Sequence, residues 1–240
     1  MGYCHKTFPR MNAKFQQRKI GELEVVELPG DPSIGAIVLL HGYGADAFDL
    51  SPLNEVYKGP TWIFPQAPLQ IQFSAGYTGQ AWFPIKMELL MRALREDRLD
   101  EIPDAFPPEI EQACSWVEEM LDRLDIPRSK VILGGFSQGA VLALETAFKS
   151  IKPCGGLLIF SGTLIHEKNW RELAPLHANT PFFQSHGSTD ALLPIKKAEE
   201  LEKLLINSGL KGTLHKFHGG HEIPRSIHLK LAAFLEQLFR

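Results

Sequence analysis

Short, almost unbroken apolar runs alternate along the chain with segments whose apolar residues recur every three or four positions. The runs Ala36–Leu40 (AIVLL), Lys130–Gly134 (KVILG), Gly156–Phe160 (GLLIF) and Pro181–Ser185 (PFFQS) lack the in–out alternation of a half-exposed strand. They read as strands covered on both faces. Ile20–Leu28, Trp62–Phe64 and Thr213–Phe217 read as further strands. Helices are predicted between them. Pro108–Leu124 carries Ile110, Ala113, Val117, Met120, Leu121 and Leu124 on one face. Ala140–Lys149 follows a strand, and Ile195–Ser208 stops at Gly209, a natural C-cap. Pro224 suits the first turn of a last helix with Ile227, Leu231, Leu235 and Leu238 on one side. The alternation predicts an α/β fold: a mostly parallel central sheet with helices on both faces. No internal repeat is visible. A single domain is expected over 19–240, preceded by an N-terminal extension, 1–18. Residues 86–107 form an excursion with Met87, Leu90, Met91 and Leu94 at helical spacing. It reads either as a lid bringing Met91 to the substrate or as an ordinary surface helix.

Composition narrows the function. A formal net charge of -3 gives no electrostatic case for nucleic acid or an anionic membrane. No apolar run is long enough for an integral membrane segment. The first residues lack the apolar stretch of a secretory signal, and Lys6 breaks the myristoylation pattern. Met11 is an alternative start that the sequence leaves open. Cys4, Cys114 and Cys154 have neither metal-ligand nor disulfide-framework spacing. They read as reduced thiols of a cytoplasmic protein. No metal or other cofactor is expected, since GFSQGA is not a dinucleotide fingerprint.

The chemistry-bearing motifs lie where predicted strands end. Gly135-Phe136-Ser137-Gln138-Gly139 stands between VILG and AVLALETAFK, the strand–turn–helix context of a nucleophile elbow. Ser137 is the candidate nucleophile; side chains at the flanking glycines would collide in so sharp a turn. The N–H of Gln138 is one candidate oxyanion donor. The loop His41-Gly42-Tyr43-Gly44 supplies the other, through the N–H of Tyr43. His41 reads as a loop-bracing residue. Asp190 follows the run Phe182–Ser185 and is the candidate acid; His221, in a glycine turn before the last helix, is the candidate base. The order Ser, Asp, His is that of the α/β-hydrolases. His218 is the rival base, while Glu222 is too close along the chain to orient the His221 ring.

With LLHGYGAD, FPQAP, GYTGQAWFPI, GFSQGAVLAL, SHGSTDALLP and GGHEIP in place, the chain from about Ile34 onward resembles the phospholipase/carboxylesterase family of α/β-hydrolases, which includes bacterial carboxylesterases and acyl-protein thioesterases. The resemblance implies a Ser137–Asp190–His221 triad, oxyanion N–H groups at Tyr43 and Gln138, and Trp82 and Phe83 flanking the substrate groove. The expected activity is hydrolysis of carboxylic esters of small acyl groups through an acyl-enzyme. Alternatives are an acyl-protein thioesterase, a lysophospholipase and, outside enzymes, a ligand-binding protein on an inactive hydrolase scaffold.

Overall fold

The computed structural model describes residues 15–72, 76, 78–86, 92, 96 and 108–240. The apolar runs become β3 (Ala36–Leu40), β4 (Thr61–Pro65), β7 (Val131–Phe136), β8 (Gly156–Phe160), β9 (Pro181–Gly187) and β10 (Lys211–Phe217), preceded by the hairpin β1 (Gln16–Ile20) and β2 (Leu23–Leu28). They build one sheet in the order β1-β2-β4-β3-β7-β8-β9-β10. The neighbours from β4 to β10 are parallel; β1–β2 and β2–β4 are antiparallel. The helices are α1 (Glu109–Asp122), α2 (Gln138–Lys149), α3 (Glu167–Leu173), α4 (Ile195–Asn207) and α5 (Arg225–Leu238).

Alternate residues of each central strand feed opposite cores, which is why the runs must be apolar throughout. Ala36, Val38, Leu40, Leu133 and Ile159 pack with the buried faces of α1, α2 and α4. Ile37, Leu39, Ile132, Leu158 and Phe160 pack with Ile227, Leu231 and Leu235 of α5.

The boundaries differ from expectation at three places. Ile20–Leu28 is not one strand: Gly21, at φ 60°, turns the chain between β1 and β2. The sheet starts at Gln16, so β1 crosses the expected 18/19 domain boundary. The sequence of β1, QQRKI, is exposed except at its last residue. It is held by backbone pairing, which hydropathy does not reveal. Finally, a small separate hairpin, β5 (Leu69–Gln72) with β6 (Thr78–Ala81), and the short α3 have no counterpart among the predicted elements. Most of 86–107, including Met87, Leu90, Met91 and Leu94, lies outside the described residues, as does Met11. Among those described, no helix is long and apolar enough to cross a membrane.

The helix α2, which starts at the elbow, is buried from Gln138 to Phe148 and includes one buried charge, Glu145. Its carboxylate accepts hydrogen bonds from Trp170 Nε1 and His166 Nδ1 (3.1 Å) and pairs with Lys149 Nζ (3.0 Å). Burial alone pushes this carboxyl up; the bonds from His166, Trp170 and Lys149 outweigh it and bring the pKa down to about 2. A pKa depressed on folding stabilises the chain above the unfolded value, 4.5. The contribution, on the order of 3 kcal/mol, fades as the pH falls from 4.5 towards 2. Glu145→Ala should cost about 3–5 kcal/mol, because it strands buried partners. Urea unfolding at pH 7 measures this, and the variant should lose part of the wild type's acid sensitivity below pH 4.5.

Candidate active site

Strand β7 ends at Phe136 and α2 begins at Gln138, so Ser137 occupies the turn between them. It adopts φ 53° and ψ -116°, a conformation costing a non-glycine residue of order 1–3 kcal/mol. Neighbouring backbone bonds over-determine it. The Ser137 N–H donates to Phe160 O (2.9 Å), and Ser137 O accepts from the N–H groups of Ala140 (3.0 Å) and Val141 (3.1 Å). The flanking glycines are required by close approach: a Cβ on Gly135 would lie 2.5 Å from Leu40 O, and one on Gly139 only 2.0 Å from it. The Gln138 N–H opens α2, where backbone donors have no acceptor within the helix and the helix dipole favours negative charge.

The β3 strand delivers His41 and Gly42 beside this elbow. His41 is 1% exposed, and burial keeps its imidazole below the usual histidine range. Its Nδ1–H donates to Gly42 O (2.8 Å), while Nε2 accepts the Ala67 N–H (3.1 Å). Both ring nitrogens are thereby engaged in holding the loop. The Gly42–Tyr43 peptide is trans. Anchoring Gly42 O to the His41 ring therefore points the Tyr43 N–H in the opposite direction within the peptide plane.

Asp190 and His221 come together because β9 and β10 run parallel in register, with Gly187 opposite Phe217. The loops beyond these strands touch directly: a Cβ on Gly187 would meet Gly220 O at 2.2 Å. Thr189 ties them further, its hydroxyl donating to Gly219 O at 2.8 Å. Asp190 Oδ1 accepts the N–H groups of Leu192 and Leu193, both at 2.9 Å. Oδ2 accepts His221 Nδ1–H at 2.6 Å. Burial tends to raise the Asp190 carboxyl, but His221 and these N–H groups hold it below its ordinary value. With the proton on Nδ1, Nε2 is the basic nitrogen of His221. The ring packs on Phe136 with centroids 4.7 Å apart. A residue that sequence reasoning missed, the buried His186, donates from Nε2 to Leu193 O (2.7 Å) and lies 3.4 Å from Asp190 Oδ2. Its place two positions along β9 from Gln184 gives no signal beyond its type. The rival His218 and Glu222 are exposed. Asp46 braces its own loop, accepting the Phe48 N–H at 2.8 Å.

Tyr43, Ser137, Gln138 and His221 line one cavity of about 190 Å³. Its other walls are mainly apolar, with Phe83, Ile85, Val141 and Leu193 among them. Phe83 lines this cavity. Trp82, expected beside it, does not: it is fully buried behind the loop, its ring tilted against that of His41 with centroids 5.3 Å apart and its Nε1 donating to His41 O at 2.9 Å. The two residues lie in a bend just past the end of β6, and of the pair only Phe83 reaches the cavity. Met91 lies outside the described residues. Among those described, no group of His, Cys, Asp or Glu is arranged to hold a metal.

Known proteins resemble this chain in sequence and in fold. The model of a family described as Phospholipase/Carboxylesterase matches residues 22–239. An acyl-protein thioesterase 1 from Debaryomyces hansenii is 30% identical over 198 residues, covering 78% of this chain and 82% of that protein. A probable carboxylesterase from Oryza sativa subsp. japonica is 25% identical, covering 83% of this chain and 76% of its own. Among solved structures, esterase PE8 superposes with a TM-score of 0.72 at 24% identity, covering 94% of this chain and 99% of that one. The Bacillus cereus carboxylesterase gives 0.68 at 20% identity, covering 90% and 94%.

Two substitutions test the acid–base pair. Asp190→Asn should preserve the fold and lower kcat by about 10⁴, because the amide favours the wrong imidazole tautomer. His218→Ala should change kcat less than about threefold, as an exposed side chain that does not line the cavity. Steady-state kinetics on an activated ester reads both, and a larger loss in His218→Ala than in Asp190→Asn would reverse the assignment.

Proposed function

The chain belongs to the phospholipase/carboxylesterase family of α/β-hydrolases, and from that premise we propose that Ser137, His221 and Asp190 form its catalytic triad, with the N–H groups of Tyr43 and Gln138 as the oxyanion hole. Family membership makes the chain a hydrolase of ester or thioester bonds. The observation that carries the residue assignment is the 2.6 Å bond between Asp190 and His221 Nδ1 at the cavity shared by Ser137 and His221.

The reaction is set by these groups. Ser137 Oγ attacks the acyl carbonyl carbon while His221 Nε2 takes its proton. The carbonyl π electrons move to oxygen, where two N–H donors stabilise the charge; one such donor is worth about 3 kcal/mol in comparable sites. The intermediate collapses, the bond to the leaving oxygen or sulfur breaks, and His221 returns the proton to that atom. Water then attacks the acyl-enzyme with His221 as base, releasing the carboxylic acid and restoring Ser137. Asp190 keeps the imidazole in the required tautomer throughout.

The substrate is a small acyl ester. The cavity, about 190 Å³ with mainly apolar walls, suits a short acyl chain. A thioester is the second reading, supported by the 30% identity to an acyl-protein thioesterase. An active enzyme is favoured over an inactive binding scaffold because Ser137 shares one cavity with His221, whose Nδ1 is held by Asp190. The working compartment is the cytoplasm. Supporting this, the buried Cys114 and Cys154 are free thiols.

A fluorophosphonate probe tests the reading. The wild type should be labelled, and Ser137→Ala should be unlabelled and fall on the order of a million-fold in kcat. A folded Ser137→Ala protein retaining activity within tenfold of wild type would end the nucleophile assignment.

A further inference from the structure

The cavity wall hangs on the catalytic loops rather than on the central sheet. The β5–β6 hairpin is a sheet of its own. At its near end the Gly44 N–H donates to Gln80 O (2.8 Å), and the Gln80 N–H donates to Ala45 O (3.0 Å), which couples the hairpin to the oxyanion loop. At its exit, the chain Trp82–Phe83 is gripped by one side chain. Gln138 Oε1 accepts the Trp82 N–H at 3.0 Å, and Gln138 Nε2 donates to Phe83 O at 2.7 Å. The amide orientation is fixed by its partners, since the carbonyl can only accept and the N–H can only donate. Gln138 is 4% exposed. A primary amide offers a donor and an acceptor side by side, so this one side chain holds both backbone groups of the bend at Trp82 and Phe83.

Gln138 therefore joins two parts of the site. Its own N–H faces the position of the oxyanion, while its side chain carries the wall to which Phe83 and Ile85 belong. We propose that Gln138 is a positioning residue that couples acyl-chain occupancy to turnover: a chain seated against Phe83 and Ile85 fixes the wall, and the wall fixes, through the Gln138 amide, the peptide that stabilises the oxyanion. The inference rests on the ester-hydrolase reading above. Its physical content is a division of binding energy. A chain that is merely buried lowers KM, whereas contacts realised in the transition state raise kcat.

The test uses the full chain and 4-nitrophenyl esters from acetate to octanoate. For the wild type, kcat should rise at least about tenfold from acetate to the best-fitting chain, while KM falls with each added methylene. Gln138→Met is near-isosteric and makes neither hydrogen bond. It should keep the KM trend, while its spread in kcat shrinks to within about twofold. Gln138→Glu keeps the acceptor for Trp82 N–H and loses the donor to Phe83 O. Its spread should be intermediate, and it decides the matter if Gln138→Met melts below the assay temperature. A wild-type kcat independent of chain length overturns the inference, as does a full kcat spread in either variant that folds. So does a variant that loses the KM trend and keeps the kcat trend. A wild type that turns over no ester removes the hydrolase reading, and this inference with it; an active wild type with any of the other results overturns the coupling alone.

Discussion

The site depends on a contact between two backbones with no side chain between them. A Cβ on Gly139 would stand 2.0 Å from the carbonyl oxygen of Leu40, and one on Gly135 would stand 2.5 Å from the same atom. Parallel pairing of β3 with β7 sets Leu40 opposite Gly135, so both strands end at the same level. The segments leaving them share a small space: His41, Gly42 and Tyr43 from one strand, Ser137 and Gln138 from the other. Two N–H groups can converge on one oxygen only if their backbones approach this closely. The glycines are there for that separation, and the strain at Ser137 is its local consequence.

The second convergence works by the same means. Gly187 lets the Asp190 loop lie against the carbonyls of Gly219 and Gly220. Within that contact a buried carboxylate has to stay ionised, which desolvation opposes. Three donors settle the balance: two backbone N–H groups on Oδ1 and the imidazole on Oδ2. Because Leu192 and Leu193 provide those N–H groups and also line the cavity, the segment that holds the Asp190 carboxylate also walls the cavity. His186 closes this arrangement from behind by holding Leu193 O.

Much of this is legible in the sequence because the central strands are buried on both faces. AIVLL and GLLIF admit no other reading once flanked by helical periodicity, and the motif residues at their ends then fall along one edge of a parallel sheet. The glycines of GFSQG carry the elbow, and the chain order carries the acid and base. Where legibility fails, the stabilising interaction is backbone pairing or a distant partner. The β1 strand has the sequence QQRKI and buries only Ile20, so its place in the sheet rests on hydrogen bonds to β2. Trp82 and Phe83 read as a pair because they are adjacent and aromatic; the bend after β6 separates them, one packing on the His41 ring and one lining the cavity. His186 looks like any strand histidine until β9 and the loop beyond it are folded together.

The β5–β6 hairpin shows why the substrate side is the hardest part to read. Its strands, LQIQ and TGQA, are short, polar and only partly buried. A two-stranded hairpin of this kind is marginal by itself in water. What holds it is non-local: the exchange between Gln80 and the Gly44–Ala45 backbone, the Trp82 indole on His41 O, and the Gln138 amide on Trp82 and Phe83. All of these anchors belong to the loops that build the proposed oxyanion hole. None leaves a hydrophobic period, since each uses a backbone group or one polar side chain. The fold is thus written in apolar repeats that anyone can find, while the wall that meets the substrate is written in single hydrogen bonds to the catalytic loops. A change in that wall can alter which acyl group fits without disturbing either core, and for the same reason it cannot be made independently of the loops on which it rests.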